Sequence, residues 1–492
     1  LLPSHLQDQQ PLPLTLDSQS SGNWNTPAIW NTKRNGSGAP YTNPNNTIGP
    51  TGPVYHIVIQ SGHTIILNDT KGITSIYVET GGKIYRNTTS NRYLEIYGAS
   101  VVVDGIMGNG GIYDGIGIEL QSPYCAISRL RKQAFVDTNA DILTDLTLNY
   151  SGAALYNDIE GYAFNVNIPA GVKVMLTNGD VSIDGVDGTN NSHRWGTFSI
   201  NGTLEIGRNL YVTTDNPIAG SQDIAYLIGA GGQIIVHGQV IGNAMVSGNA
   251  NAQLFLAGNA KLTVNGPGEV FLNIDGNRDN FLLQSSSEVH YAGGSTQFIE
   301  DELLYAGISI NGGSEKILEG NVLVNETLWL NSGYPVLETH NLIINGGGTI
   351  VGGSDAAYVK TTATGKLIQN IGPLTITFPI GVNSFTPISL SNSGAADIFA
   401  IRVMEQVLEN GLSGQAHTSG FVNNTWVVEE LSPGGSNLNM DVQWQHFNEL
   451  PLFDRNACYI SQYIGEWDAP APTAASGNGP FQQIRNNLGT VG

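Results

Sequence analysis

The sequence predicts an all-β chain, a right-handed parallel β-helix (a solenoid) followed by an antiparallel β-sandwich. Three observations carry that expectation. Only 12% of the 492 residues are charged and Gly fills 62 positions, a balance that favours strands and turns over helices. From residue 21 onward, apolar residues alternate in short runs of roughly four to six, broken by Asn-Gly and Gly-Gly turns. Beyond residue 372 the texture changes to longer strands joined by longer polar loops.

Taken in order, residues 1–20 carry three prolines and no glycine, and read as an extended N-terminal arm or linker. Its stretch 11-PLPLTL-16 fits an edge-type strand. Residues 21–372 form the expected solenoid, seen most clearly in 199-SINGTLEIGRNLYVTT-214, 231-GGQIIVHGQVIGNAMVSGNA-250 and 253-QLFLAGNAKLTVNGPGEVFLNI-274. Strands follow one another irregularly, at roughly eight to twelve residues, so no repeat of fixed length emerges. A sandwich or barrel series also fits such spacing, but strands this short over so long a tract favour stacked coils. An excursion near 129–165, richer in charge and Tyr, is expected to project from the stack. Residues 373–492 read as the sandwich, with strands at 374–380, 397–404, 421–431, 438–444 and 457–464 and a final edge strand lacking.

Composition limits the function classes. Lys plus Arg number 20 against 41 Asp plus Glu, a formal charge of −21 that repels nucleic acid and anionic membranes. No run of about 18 apolar residues is present to cross a bilayer, so no membrane insertion is expected. A hydrophobic fraction of 40% argues for folding. The two cysteines, Cys125 and Cys458, fall in different expected domains and are read as buried free thiols rather than a disulfide. The chain opens at Leu1 without a methionine or a signal-type apolar core, which suits an exported mature product or a segment of a longer polypeptide.

Several stretches resemble a known group. The opening 21-SGNWNTPAIW-30 with 61-SGHTIIL-67, the stretch 312-GGSEKILEGNVLVNETLWLNSGYPVLETHNLIINGGGTIVGG-353, and the passages 377-TFPIG-381, 424-NTWVVEE-430 and 453-FDRNACYISQYIGEWD-468 are similar to large surface or adhesin-like proteins of the Bacteroidota. Those proteins leave the cell by the type IX secretion system. The resemblance covers nearly the whole chain, and implies a secreted, extracellular or cell-surface address and an architecture of repeats plus a C-terminal sandwich module. It implies no reaction.

Few residues offer chemistry. In 137-DTNADILTD-145, oxygens from Asp137, Asn139, Asp141 and Asp145 fall at positions 1, 3, 5 and 9 of a calcium-loop spacing. Ile142 and Leu148 stand where that loop needs Gly and an acid, so an Asx-turn competes with the calcium reading. The segment 275-DGNRD-279 matches only at its start. Trp24 and Trp30 suit an N-terminal cap or, in a functional reading, a sugar-stacking platform. A lyase would use Arg129, Arg131 and Lys132, and a glycoside hydrolase Asp104, Asp114 and Glu119. Motifs for a nucleophile elbow, a phosphate loop or a zinc helix are absent from the sequence.

The expectation is therefore a non-enzymatic extracellular structural or adhesive protein. Self-association head-to-tail, with the N-terminal arm adding a strand to the sandwich of the next copy, would make it a filament subunit. A β-helix carbohydrate-active enzyme and a glycan-binding adhesin, with surface glycans as partners, are the alternatives.

Overall fold

The structure, a computed structural model, describes residues 14–42, 50–51, 55–86, 93–96, 100–103, 105–107, 117–120, 126–130, 146–148, 154–156, 164–176, 180–182, 196–212, 224–242, 252–272 and 281–489. It is all-β, with no α-helix among the described residues. The chain divides into two compact units, Leu1–Lys261 with Leu272–Leu282, and Leu262–Phe271 with Leu283–Gly492.

In the first unit, strands pair in parallel with strands further along the chain rather than with their immediate neighbours. Leu14–Ser18, Tyr55–Ile59, Ser75–Val78 and Ser100–Val103 form one such series. Thr64–Ile66, Lys83–Tyr85 and Ile106–Met107 form a second. Lys71–Ile73, Tyr93–Ile96 and Gly117–Leu120 form a third. The same arrangement continues in Lys173–Leu176, Thr203–Ile206 and Gln233–Val236, where Lys173, Thr203 and Gln233 share one column at a step of 30 residues. Alternation turns every second side chain inward. Val174, Leu204 and Ile234 stack on one another, as do Ile206 and Val236, all fully buried. On the outward face Glu205 holds both Lys173 at 2.7 Å and His237 at 2.8 Å. Within the expected excursion near 129–165, Leu146–Leu148, Ala154–Tyr156 and Phe164–Ile168 belong to these parallel pairings.

A recurrent turn sets the strands apart. At 60–63, 79–82, 169–172 and 229–232 the fourth backbone N–H donates to the first carbonyl. The third residue then takes a positive φ: 81° at Gly62, 85° at Gly81, 83° at Gly171 and 83° at Gly231. This conformation favours glycine.

The second unit keeps the parallel pattern and then reverses it. Glu288–Tyr291, Tyr305–Ile310, Val322–Leu330, Leu342–Ile344 and Leu367–Ile371 run parallel in sequence. Asp397–Met404 then joins Leu367–Ile371 antiparallel, and Thr425–Glu430 joins Asp397–Met404. A further antiparallel sheet orders Ile376–Phe378, Ile388–Asn392, Leu438–Trp444 and Phe481–Leu488. The change of texture near residue 372 thus falls inside one unit. The strand expected at 457–464 does not form; Cys458 and Tyr463 make only isolated bridges, to Thr473 and Trp467. Asp468 explains this, because it accepts from the Gln462 N–H at 2.7 Å and pairs with Arg485, closing the segment into a loop. Phe481–Leu488, which the sequence reading omitted, is a strand instead.

Polar side chains are also buried in register. Gln297 and Lys316 are fully buried partners on adjacent parallel strands. Gln297 donates to the carbonyls of Val264 at 3.0 Å and Gly266 at 2.7 Å, and accepts from the Gly293 N–H at 3.0 Å. The Lys316 ammonium donates to the Gly293 carbonyl at 2.7 Å, the Ser314 hydroxyl at 2.6 Å and the Ser295 carbonyl at 3.4 Å. All three acceptors are uncharged, and burial pushes this amine down to about 8.

Two outcomes follow. Ala at Gly231 meets open space but must hold φ near +83°, and is expected to cost about 1 kcal/mol. Ala at Gly232 would place Cβ 1.9 Å from the Ile200 carbonyl and should lower the urea midpoint further. Lys316, easier to deprotonate folded than unfolded, gives a stability that rises from pH 8 to 10, by about 2 kcal/mol. The rise should vanish in Lys316→Met by urea titration. Above pH 10 the buried Tyr291 and Tyr305, whose hydroxyls burial drives upward, oppose it.

Candidate functional site

An open depression lies at the start of the first unit. Strand Leu14–Ser18 pairs in parallel with Tyr55–Ile59 and antiparallel with Trp30–Asn31. Leu16 points into the core, so alternation sends Asp17 to the opposite face. There the turn that follows Asn31 comes across it. Asp17, Thr32, Lys33, Arg34, Asn35 and Gln60 line one open depression.

Hydrogen bonds hold this frame in place. Gln60 donates to the carbonyls of Ser18 at 2.7 Å and Arg34 at 2.9 Å. Gln19 donates to the carbonyls of Asp17 and Lys33, both at 3.2 Å. The Asn31 side chain accepts from the Lys33 N–H at 2.9 Å and donates to the Gly36 and Gly38 carbonyls. The turn is therefore tied to both strands beneath it.

Two buried carboxylates flank the turn and are treated differently. Glu79 receives a two-pronged ion pair from Arg34, one arm at 2.6 Å, and the Ser61 N–H at 3.1 Å. The guanidinium holds its carboxyl below the usual range. Asp17 is 7% exposed, and among the described residues none hydrogen-bonds its carboxylate. Burial pushes its pKa up, Arg34 pulls it back, and Glu79 adds to the rise.

The residues singled out from the sequence fare as follows. Trp24 and Trp30 are fully buried, their rings 5.0 Å apart. The Trp24 indole N–H donates to the Pro50 carbonyl and that of Trp30 to the Trp24 carbonyl, both at 2.9 Å. No ring face is left for a sugar, so the platform reading gives way to a packed N-terminal corner. Asp137, Asn139, Asp141 and Asp145, the calcium candidates, lie outside the described residues, as do Asp104, Asp114, Arg131, Lys132, Cys125 and the segment 275–279. Arg129 and Glu119 sit on strands Ala126–Leu130 and Gly117–Leu120. Cys458 is a buried free thiol. Glu429 pairs with Lys366, while Glu430 is buried and accepts from Ser436 and the Gly434 N–H. Among the described residues no group of three or more His, Cys, Asp or Glu could hold a metal. No helix among the described residues is long and apolar enough to cross a membrane.

The sequence reading missed Asp17 because it placed residues 1–20 in an arm. The alternation in 14-LTLDS-18 was the available signal. Comparison with known proteins adds nothing to this geometry: no family, curated protein or solved structure matches the chain.

A carboxylate with a raised folded pKa binds its proton more tightly when folded, so its contribution is favourable at low pH and lost as pH rises through that pKa. Asp17→Asn is therefore expected to raise the melting midpoint at pH 7. By calorimetry the gain should shrink as pH falls towards the ordinary value of 3.8.

Proposed function

We propose that this chain is a non-enzymatic structural or adhesive component of an extracellular surface, wound as a right-handed parallel β-helix that ends in an antiparallel sandwich. The observation that carries the reading is the set of buried apolar columns in register, such as Val174 over Leu204 over Ile234. A chain that buries its apolar residues chiefly against its own next strand resists deformation along the stack. Parallel strands joined by crossovers are right-handed in nearly every case. The antiparallel pairings from Asp397 onward support the sandwich.

The resemblance of 21-SGNWNTPAIW-30 and 453-FDRNACYISQYIGEWD-468 to Bacteroidota surface proteins supports type IX export and the surface address. Assembly by donation of 11-PLPLTL-16 is less well supported. Leu14–Leu16 is already hydrogen-bonded to Tyr55–Ile57, and Leu16 is fully buried. Donating it would open that ladder and expose an apolar side chain at about 1.5–3 kcal/mol. The reading adopted is a surface component whose described strands are paired within the chain.

Antibodies raised against residues 283–489 should label intact, unpermeabilised source cells. Labelling confined to permeabilised cells would refute the surface role.

A further inference from the structure

We propose that the edge strand Thr425–Glu430 pairs antiparallel with the same strand of a second copy, giving a dimer in which one sheet runs through the two-fold axis. This inference goes beyond the surface role proposed above and does not depend on it.

The edge is open where its counterparts are closed. Thr425–Glu430 ends its sheet, with Asp397–Met404 on one side and no strand on the other. The Leu431 N–H donates to the Ile398 carbonyl at 3.0 Å. Every second residue of an antiparallel ladder faces its partner, so Thr425, Val427 and Glu429 turn their backbone groups towards Asp397–Met404, and Trp426, Val428 and Glu430 turn theirs away. Among the described residues nothing bonds the backbone N–H or C=O of those last three. A row of this kind is a template for another strand. The two edges of the other antiparallel sheet offer none. Ile376–Phe378 has only three residues and runs into Pro379. On Phe481–Leu488, Gln482 exchanges both backbone bonds with Ser476 at 3.0 Å, and the Gln483 side chain accepts from the Ile484 N–H at 3.0 Å.

Side chains select the occupant. Leu431 and Ile398, 47% and 45% exposed, share the outward face with Val427 by alternation and form an apolar strip beside the open edge. A two-fold axis at Val428 sets Trp426 of one copy against Glu430 of the other, Val427 against Glu429, and Thr425 against Leu431. No carboxylate then faces a carboxylate, a pairing that would be unfavourable. Both acids at the edge are also answered within their own chain: Glu429 pairs with Lys366, and Glu430 accepts from Ser436 and the Gly434 N–H. The pairing brings no unmatched charges together and covers Leu431. Because the same patch serves both copies, the contact closes at two.

Sedimentation equilibrium of the full chain, from about 1 to about 200 μM in about 0.15 M salt, should give a mass that rises from one chain to two and stops there. Val427→Glu, whose carboxylate meets Glu429 of the other copy twice in each dimer, should weaken the pairing about tenfold. Val427→Lys should not weaken it. Val428→Pro removes an N–H from the open edge alone, where proline is tolerated, and should give a monomer that keeps its melting transition. A single-chain mass at every concentration, a mass that climbs past two chains, an undiminished dimer in Val427→Glu or Val428→Pro, or equal weakening by Val427→Lys and Val427→Glu would each overturn the proposal. Should either Val427→Glu or Val428→Pro fail to fold, the other carries the test.

Discussion

The backbone ladder between one parallel strand and the next is the constraint on which the rest of the molecule depends. Each strand is short, often three to five residues, too short to be stable as an isolated hairpin. Its N–H and C=O groups are satisfied only when the strands before and after it in the stack are in place. That requirement fixes the register, and the register in turn decides which side chains face inward. Leu204 can be an interior residue because Val174 lies beneath it and Ile234 above it. The tight four-residue turn at 229–232 recurs at 60–63, 79–82 and 169–172, where it sets a strand's start.

This dependence explains what could be read from the sequence. Asp397–Met404 and Leu438–Trp444 occupy the spans expected for them, because their alternation is long enough to register as period two. The 30-residue step from Lys173 to Thr203 to Gln233 stayed hidden. Its columns conserve only burial and turn position, and the intervening segments share no letter-by-letter pattern. Phe481–Leu488 was missed for a related reason. FQQIRNNL carries few apolar residues, and its place as a strand rests on pairing with Leu438–Trp444 rather than on its own composition. The apolar stretch at 457–464 looked more strand-like, yet the Asp468–Arg485 pair and local side-chain bonds bend it into a loop.

The candidate site was less legible because it is made by tertiary cover. Nothing in 14-LTLDS-18 says that Asp17, on an outward face, will be partly covered by residues 32–35. Only the clamps from Gln19 and Gln60 bring that turn over the strand. Trp24 and Trp30 show the converse. Two aromatics near a terminus suggested a platform, but both indole N–H groups are answered by backbone carbonyls inside the fold. Gln297 and Lys316 would each look like surface residues by type, and both are interior because the carbonyls of neighbouring turns converge on them.

The column shared by Lys173, Thr203 and Gln233 bears on how such a molecule changes size. Removing residues 173–202 would leave Thr203 on the ladder that Lys173 vacated, with Leu204 and Ile206 replacing Val174 and its neighbour in a core of the same width. Inserting a copy of that stretch would add a layer by the same logic. Growth and shortening of this unit are therefore modular: a tandem duplication or deletion in frame with the column alters length while every surviving layer keeps the neighbours it needs, whereas one out of frame by a single residue turns its interior outward.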